Sequence, residues 1–345
     1  MHIPASPVTA RPRPSRPLLK WAGGKRQLIP AIGHHYPDAF DRYVEPFLGS
    51  GAVFFDLLAA GRLQGRRVRL ADVNPDLIGC YQTLRDDVEG VIKALERLER
   101  EHRKAGDDCY YDVRDRRFNP RRAAQASGAP AAREALVASY GPELAAMLIF
   151  LNRTGFNGLF RLNRQGGFNV PAGRYAEPRI CDPDHLRSVA DAFGQAGLTL
   201  ELAGFETTIG EAGPGDFIYC DPPYAPLSRT ASFANYTADG FGAADQERLA
   251  ESVIGACHRG ASIVVSNSSA PDILKLYSSA RARAAGLVVR LVPARRAINS
   301  RSTSRGPINE VIVTNVRLRP APVVPRPAML RARGPLSRKP VSGVR

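Results

Sequence analysis

Between residues 18 and 316, short apolar runs alternate with longer stretches of helical period. Runs that are apolar throughout or alternate with period two, and that are bounded by turn residues, predict strands over 43–47, 67–73, 216–220, 261–266, 287–292 and 310–316. Spacing near 3.6 predicts helices over 52–60, directly behind a Gly-rich turn, and over 246–258. Strand–helix alternation of this kind predicts an α/β domain with a parallel, doubly wound sheet. Residues 85–205 depart from it. They hold a charged helical stretch over 89–104, an apolar helix over 143–151 and then a Gly/Asn/Arg-rich segment. We read 85–205 as a helical insertion into a discontinuous domain made of 18–84 and 206–317. The two ends, 1–17 and 318–345, mix Pro with Arg, show no hydrophobic period and read as flexible tails.

Composition narrows the class. A chain of 345 residues with a 44% apolar share has the material for a sizeable core. Its longest apolar run, 144–151, falls well short of the roughly 20 residues that span a bilayer, and the Pro/Arg-rich start lacks the apolar stretch of a secretory signal. No membrane association is expected. Five scattered cysteines without a Cys-x-x-Cys pair argue against a zinc site and a disulfide framework, so a cytoplasmic protein without metal is expected. The net charge is +15, but residues 1–17 carry three Arg and no acid, and residues 317–345 carry seven Arg, one Lys and no acid. Most of the excess therefore sits in the tails. A basic chain suggests a polyanionic partner, usually nucleic acid.

Two motifs carry chemistry. Phe47-Leu48-Gly49-Ser50-Gly51 lies where a strand turns into a helix, where glycines allow close approach of a ligand and the helix N-terminus adds positive potential. Asp72 stands at the end of the next strand, placed to accept the hydroxyls of a ribose. Asp221-Pro222-Pro223-Tyr224 follows the strand 216–220. An exocyclic amino nitrogen on a base is a poor nucleophile because its lone pair is delocalised into the ring. Asp221 can accept one of its hydrogens, and the Pro222 carbonyl, held in direction by two rigid rings, can accept the other. The nitrogen is then drawn toward sp³ geometry, with Tyr224 stacked on the base, which has to leave the duplex to enter such a pocket.

With those residues in place, the sequence resembles the Dam-type (class alpha, D12 class) DNA adenine-N6 methyltransferases over about 18–316. Leu19-Lys20-Trp21-Ala22-Gly23-Gly24-Lys25 is similar to the family's N-terminal cofactor motif. Val44-Glu45-Pro46-Phe47 with the glycines, Leu70-Ala71-Asp72-Val73-Asn74, and Tyr219 through Ser228 are similar to the family's next motifs along the chain. The resemblance implies a Rossmann-like S-adenosylmethionine-dependent methyltransferase sheet of about seven strands with a helical DNA-recognition insertion. It makes 18–84 plus 206–317 the catalytic domain and 85–205 the target-recognition domain. It implies that Trp21, Lys25, Phe47, Gly49, Gly51, Asp72 and Asp221 hold S-adenosyl-L-methionine, and that Asp221, Pro222 and Tyr224 are catalytic.

The segment Leu151 to Arg161, continuing through Asn169-Val170-Pro171 to Gly173-Arg174-Tyr175, is loop-rich and carries Arg, Asn and aromatic residues of the kind that read base edges or wedge between bases. The resemblance makes it a recognition hairpin for GATC. Arg161 is then the guanine reader, Leu159 and Pro171 contact an inner base pair, Phe156 and Asn157 enter the duplex, and Arg174 and Tyr175 also bind DNA. Phe156 stands where a Tyr is usual. Residues 228–241 are expected to close over the flipped base, with Phe233 and Tyr236 as walls. Arg295 and Arg296, with Arg301 and Arg305, are expected to hold phosphates. After Ser266-Asn267, where many relatives carry His-Asp, this chain has Ser268-Ser269. The expected partner is double-stranded DNA, and the expected state a monomer. Two other readings stay open on the sequence: an RNA or cytosine-N4 methyltransferase with the same pocket, and a non-catalytic DNA-binding relative.

Overall fold

The computed structural model describes residues 16–21, 23, 25–123, 130–226, 241–295 and 307–317. Seven strands form one sheet: β1 (Arg42–Glu45), β2 (Arg67–Asp72), β3 (Leu198–Leu202), β4 (Asp216–Cys220), β5 (Ser262–Ser268), β6 (Val288–Arg295) and β7 (Pro307–Thr314), in the order β3-β2-β1-β4-β5-β7-β6. Strands β1 to β5 pair in parallel, and β7 enters antiparallel between β5 and β6. The sheet is thus mixed where the alternation predicted a parallel one. Residues 296–306 are too few for the crossover, about a dozen residues or more, that a parallel β6–β7 pair requires.

The central strands are buried on both faces, and period two sorts their side chains between two cores. Phe217 and Tyr219 of β4 face one core, and Ile218 and Cys220 face the other. Val264 of β5 joins the first, and Ile263 and Val265 the second. Helices α1 (Ile29–Gly33), α2 (Ala52–Ala59) and α3 (Pro75–Asp86) feed the first core, which continues into the inserted helices α4 (Val88–Ala105), α5 (Asp107–Tyr111), α7 (Pro130–Ala138) and α8 (Pro142–Thr154), with the short α6 (Asn119–Ala123) lying between α5 and α7 in the chain. The second core is closed by α10 (Phe205–Gly210), α11 (Ala243–His258), α12 (Pro271–Tyr277) and α13 (Ala280–Ala284).

The insertion reading of 85–205 is corrected at its C-terminal end. Helix α9 (Pro183–Phe193) packs on the sheet-covering layer, with Phe193 stacked on Phe54 at 5.7 Å, and β3 is a strand of the sheet itself. Strand β3 escapes the hydrophobic pattern because it is a short edge strand whose Leu198 and Leu202 are only half-buried, so its alternation is weak.

Two inserted helices show opposite solutions to burial. In α4, Val91, Ile92, Leu95 and Leu98 form one buried stripe beneath a charged face, and Asp87 caps the first turn through Gly90 N at 2.9 Å. In α8, every residue from Leu144 to Asn152 is buried, because the helix runs inside the bundle against α3 and α4. No single helix among the described residues is long and apolar enough to cross a membrane.

The topology places the site. The chain builds β1, β2 and β3 outward in one direction, then crosses to β4 and β5 on the other side of β1. The carboxyl ends of β1 and β4 therefore flank the point where strand order reverses, which is where open α/β sheets leave a crevice for ligands.

Candidate functional site

The wall on the β1 side is the glycine turn. Gly49 (φ +47°) and Gly51 (φ +69°) occupy the left-handed region, which a side chain would strain, and Gly51 caps α2. The turn is tied to β2: Leu48 N donates to Ala71 O at 2.9 Å, and Gly49 N donates to Asp72 Oδ2 at 3.0 Å. The other oxygen of Asp72 accepts from Asn74 N at 2.9 Å, while the Asn74 side chain caps α3 through Asp76 N and Leu77 N. Burial pushes the Asp72 carboxyl up, and the amides of Gly49, Asn74 and Val73 pull it back. Trp21 covers the turn so closely that a Cβ on Gly49 would stand 2.9 Å from its Cδ1. The indole also stacks on Phe160, with centroids 5.4 Å apart. Phe47 packs on the opposite core, stacked on Phe205 at 5.5 Å with Phe241 at its edge.

The wall on the β4 side is Asp221 with the loop from Pro222 to Ala225. Asp221 Oδ1 pairs with Lys25 Nζ at 2.8 Å and accepts from Ser266 Oγ at 3.1 Å. Ser266 is fixed in turn by the buried hydroxyl of Tyr219 at 2.9 Å. Among the described residues nothing bonds Asp221 Oδ2 or the Pro222 carbonyl. Burial raises the Asp221 carboxyl above its ordinary range, and Lys25 and Ser266 oppose that rise. The Lys25 ammonium also donates to Gly23 O at 2.6 Å and lies 4.3 Å from the Tyr224 ring centroid. The Tyr224 hydroxyl donates to Glu310 Oε2 on β7 at 2.7 Å. Behind the loop, buried Gln246 donates to Pro223 O at 2.9 Å and accepts from Asn267, and Ser268 Oγ donates to Ala225 O at 2.7 Å. Ser268, one of the two residues that depart from the usual His-Asp, thus anchors the loop directly.

The hairpin stands next to this crevice through the Phe160–Trp21 stack. Phe156 is 48% exposed in the turn Phe156–Gly158 at the hairpin's open end, beside Asn157, the one non-glycine residue with positive φ (+55°) among the described residues. Leu159 is half-buried, Pro171 is exposed, and Phe156 N donates to Pro171 O at 2.9 Å. Exposed Arg161 donates through Nε to Asn169 Oδ1 at 2.8 Å and through Nη2 to Asn169 O at 3.2 Å. Arg174 and Tyr175 are exposed.

Several members of this site receive no role from the sequence, even where a motif contains them. Lys20 lies 4.7 Å from the Tyr175 ring centroid, held by Asn152, which bonds both its N and its O. Its only sequence signal is its place beside Trp21. Ser266, which the sequence marks only as the flank of Ser268-Ser269, and Glu310 reach the site from neighbouring strands. Glu45 is buried with the Tyr43 hydroxyl on its Oε2 at 2.8 Å, and burial raises its carboxyl well above the ordinary range. Arg295 ends β6, which runs in the same direction as β5 with β7 between them, so its backbone lies at the same end of the sheet as Asp221. Its side chain, together with Arg296, Arg301, Arg305, Phe233, Tyr236 and residues 1–15 and 318–345, lies outside what the structure describes.

Residues 21–289 match the family model for D12 class N6 adenine-specific DNA methyltransferases. The chain is 35% identical over 300 residues to a Type II methyltransferase of Lactococcus lactis subsp. cremoris, covering 87% of this chain and 95% of that protein. It is 35% identical over 300 residues to the DNA adenine methylase of Vibrio cholerae, covering 86% and 95%. Against the DNA adenine methylase of Escherichia coli K12 it is 32% identical over 298 residues, covering 86% and 94%.

Proposed function

The chain belongs to the D12 class N6 adenine-specific DNA methyltransferase family, and from that premise we propose that it takes its methyl group from S-adenosyl-L-methionine and places it on adenine N6 within GATC. The crevice fits that cofactor. Among the described residues Asp72 accepts only from backbone amides, which leaves a carboxylate of acceptor character for a ribose, and Gly49 keeps open the space beside the Trp21 ring that a Cβ would fill. Trp21, Phe47, Gly49, Gly51, Asp72, Lys25 and Asp221 would hold it. When bound, the cofactor supplies a methyl group on an electrophilic sulfonium.

The chain's own residues do the rest. Asp221 Oδ2 and the Pro222 carbonyl accept the two hydrogens of the amino group and bring its lone pair out of the ring. Lys25 and Ser266 hold Oδ1, so the carboxylate cannot rotate away. Tyr224, fixed at its hydroxyl by Glu310, presents its ring to the base. The hairpin supplies the target: Arg161 for guanine, Leu159 and Pro171 for the inner pair, Phe156 and Asn157 at the vacated position, with Arg174, Tyr175, Arg295 and Arg296 along the backbone. The five free thiols agree with action in a reducing cytoplasm, and we take the working unit to be a monomer on double-stranded DNA.

The observation that carries this reading is the half-engaged Asp221, with one oxygen doubly held and the other unbonded among the described residues. Asp221→Ala is expected to stay folded and to lose about a hundredfold or more of its labelled-methyl transfer to DNA, the scale for removing one preorganised hydrogen-bonding group. Incorporation within tenfold of the parent would contradict it.

A further inference from the structure

The second strand of the hairpin, residues 166–170, is bonded on both edges. On one edge it meets its own first strand: Asn163 N donates to Gly167 O at 2.8 Å, and Asn169 N donates to Arg161 O at 3.1 Å. On the other edge, where a third strand would lie, side chains of the inserted helices take the backbone groups. Tyr110 OH and Arg114 Nη1 donate to Val170 O at 2.8 and 3.0 Å. Asn119 takes both groups of Phe168, donating from Nδ2 to its O at 3.0 Å and accepting its N–H on Oδ1 at 2.8 Å. Arg122 Nη1 donates to Gly166 O. Residues 166, 168 and 170 alternate, so they offer their backbone groups along one edge, as in a sheet ladder.

The helical register makes this possible. Residues Asp112–Phe118 form a π-helix, a rare element with bonds between residues five apart. Arg114 and Asn119 are five apart. In an α-helix that spacing turns a side chain by about 140° away from its partner; a π turn brings the two to the same side. Tyr110, in α5, and Arg114, in the π segment, are four residues apart across its start, and Asn119 and Arg122 are three apart after it. The last of these is locked: buried Arg122 pairs with Asp76 at 2.7 Å, and Tyr140 OH donates to the same carboxylate at 2.8 Å.

We propose that this edge is a positioning device for sequence discrimination. A lone two-stranded hairpin is marginal in water. Asn119 and Arg122 stand in for its missing third strand and fix Phe168 and Gly166. They thereby place Asn169, whose Oδ1 and carbonyl orient the Arg161 guanidinium and leave its Nη1–Nη2 edge toward the base. Asn119 and Arg122 are positioning residues that act through Arg161, and the inference rests on the reading of Arg161 as a base reader.

The test measures methylation rates on a duplex carrying the parent enzyme's own target and on one altered only at the pair assigned to Arg161, for the parent, Asn119→Ala, Arg161→Ala and the double variant. The expected result is a rate ratio between the duplexes that falls at least fivefold in Asn119→Ala, does not fall further in the double variant, and is accompanied by unchanged binding of labelled S-adenosylmethionine. A variant that slows both duplexes by one factor, or loses cofactor binding, has a general structural role and overturns the proposal. A ratio that falls further in the double variant than in Arg161→Ala overturns it as well. If Arg161→Ala itself leaves the ratio intact, the base-reading assignment fails and this proposal with it. If Arg161→Ala collapses the ratio and Asn119→Ala does not, only this proposal fails. Should Asn119→Ala not fold, Asn119→Asp carries the same expectation, since a carboxylate keeps the shape but cannot donate to Phe168 O.

Discussion

At the scale of single residues, the proposed function turns on Asp221 and Arg161. As the proposed acceptor, Asp221 works as the carboxylate, and burial holds its proton more tightly than water would, so methyl transfer is expected to fall as pH drops through a value above the ordinary carboxylate range. Lys25 favours the ionised form, and removing it shifts that acid limb to higher pH. The measurement is kcat against pH at saturating cofactor for the parent and Lys25→Ala; a limb that stays in place or moves down would contradict the pairing. For Arg161, a bidentate guanine contact is worth about 1–3 kcal/mol of discrimination, or about 5- to 150-fold in rate ratio at one base pair. Arg161→Ala is expected to lose that much selectivity at the outer G·C pair, whereas equal slowing on all duplexes would make it a phosphate anchor. Both residues are legible in the sequence because each sits in a dense local motif. The roles of Ser266, Glu310 and Lys20 are not, because they come from strand pairing and packing that bring distant residues beside Asp221, Tyr224 and Tyr175.

Among the elements, those with strong period or sharp punctuation can be read directly, and those shaped by tertiary partners cannot. The glycine turn, α2, β4 and α11 arise from local pattern. Strand β3 is too short and too exposed to announce itself, and the π-helix within the insertion leaves no mark on hydrophobic spacing that α-helical turns would not also leave. The glycine turn gives the test at this scale. Gly49→Ala sets a Cβ at φ +47° and 2.9 Å from Trp21 Cδ1, so the turn or the indole has to move. Cofactor binding, read by titration of the single Trp fluorescence, is expected to weaken at least tenfold while thermal unfolding changes little by comparison; affinity within twofold of the parent would show that the Trp21–Gly49 surface is not part of the cofactor site.

For the molecule as a whole, charge and fold divide the labour. On the proposed function, the discontinuous sheet carries the chemistry and the insertion, packed on the same core, carries recognition, while the basic tails add charge without pattern. Deleting residues 321–345 is therefore expected to leave the methylated sequence unchanged and to weaken DNA binding mainly at low salt, with a shallower dependence of affinity on salt. A changed target sequence after truncation would assign recognition to the tail. The central claim, adenine-N6 methylation at GATC by this site, is tested most directly by modification-sensitive sequencing of DNA from cells without adenine methylation of their own that express the full chain or its Asp221→Ala variant. The expected result is N6-methyladenine at GATC with the parent and none with the variant; methylation on cytosine, at a different sequence, or undiminished in the variant would contradict it.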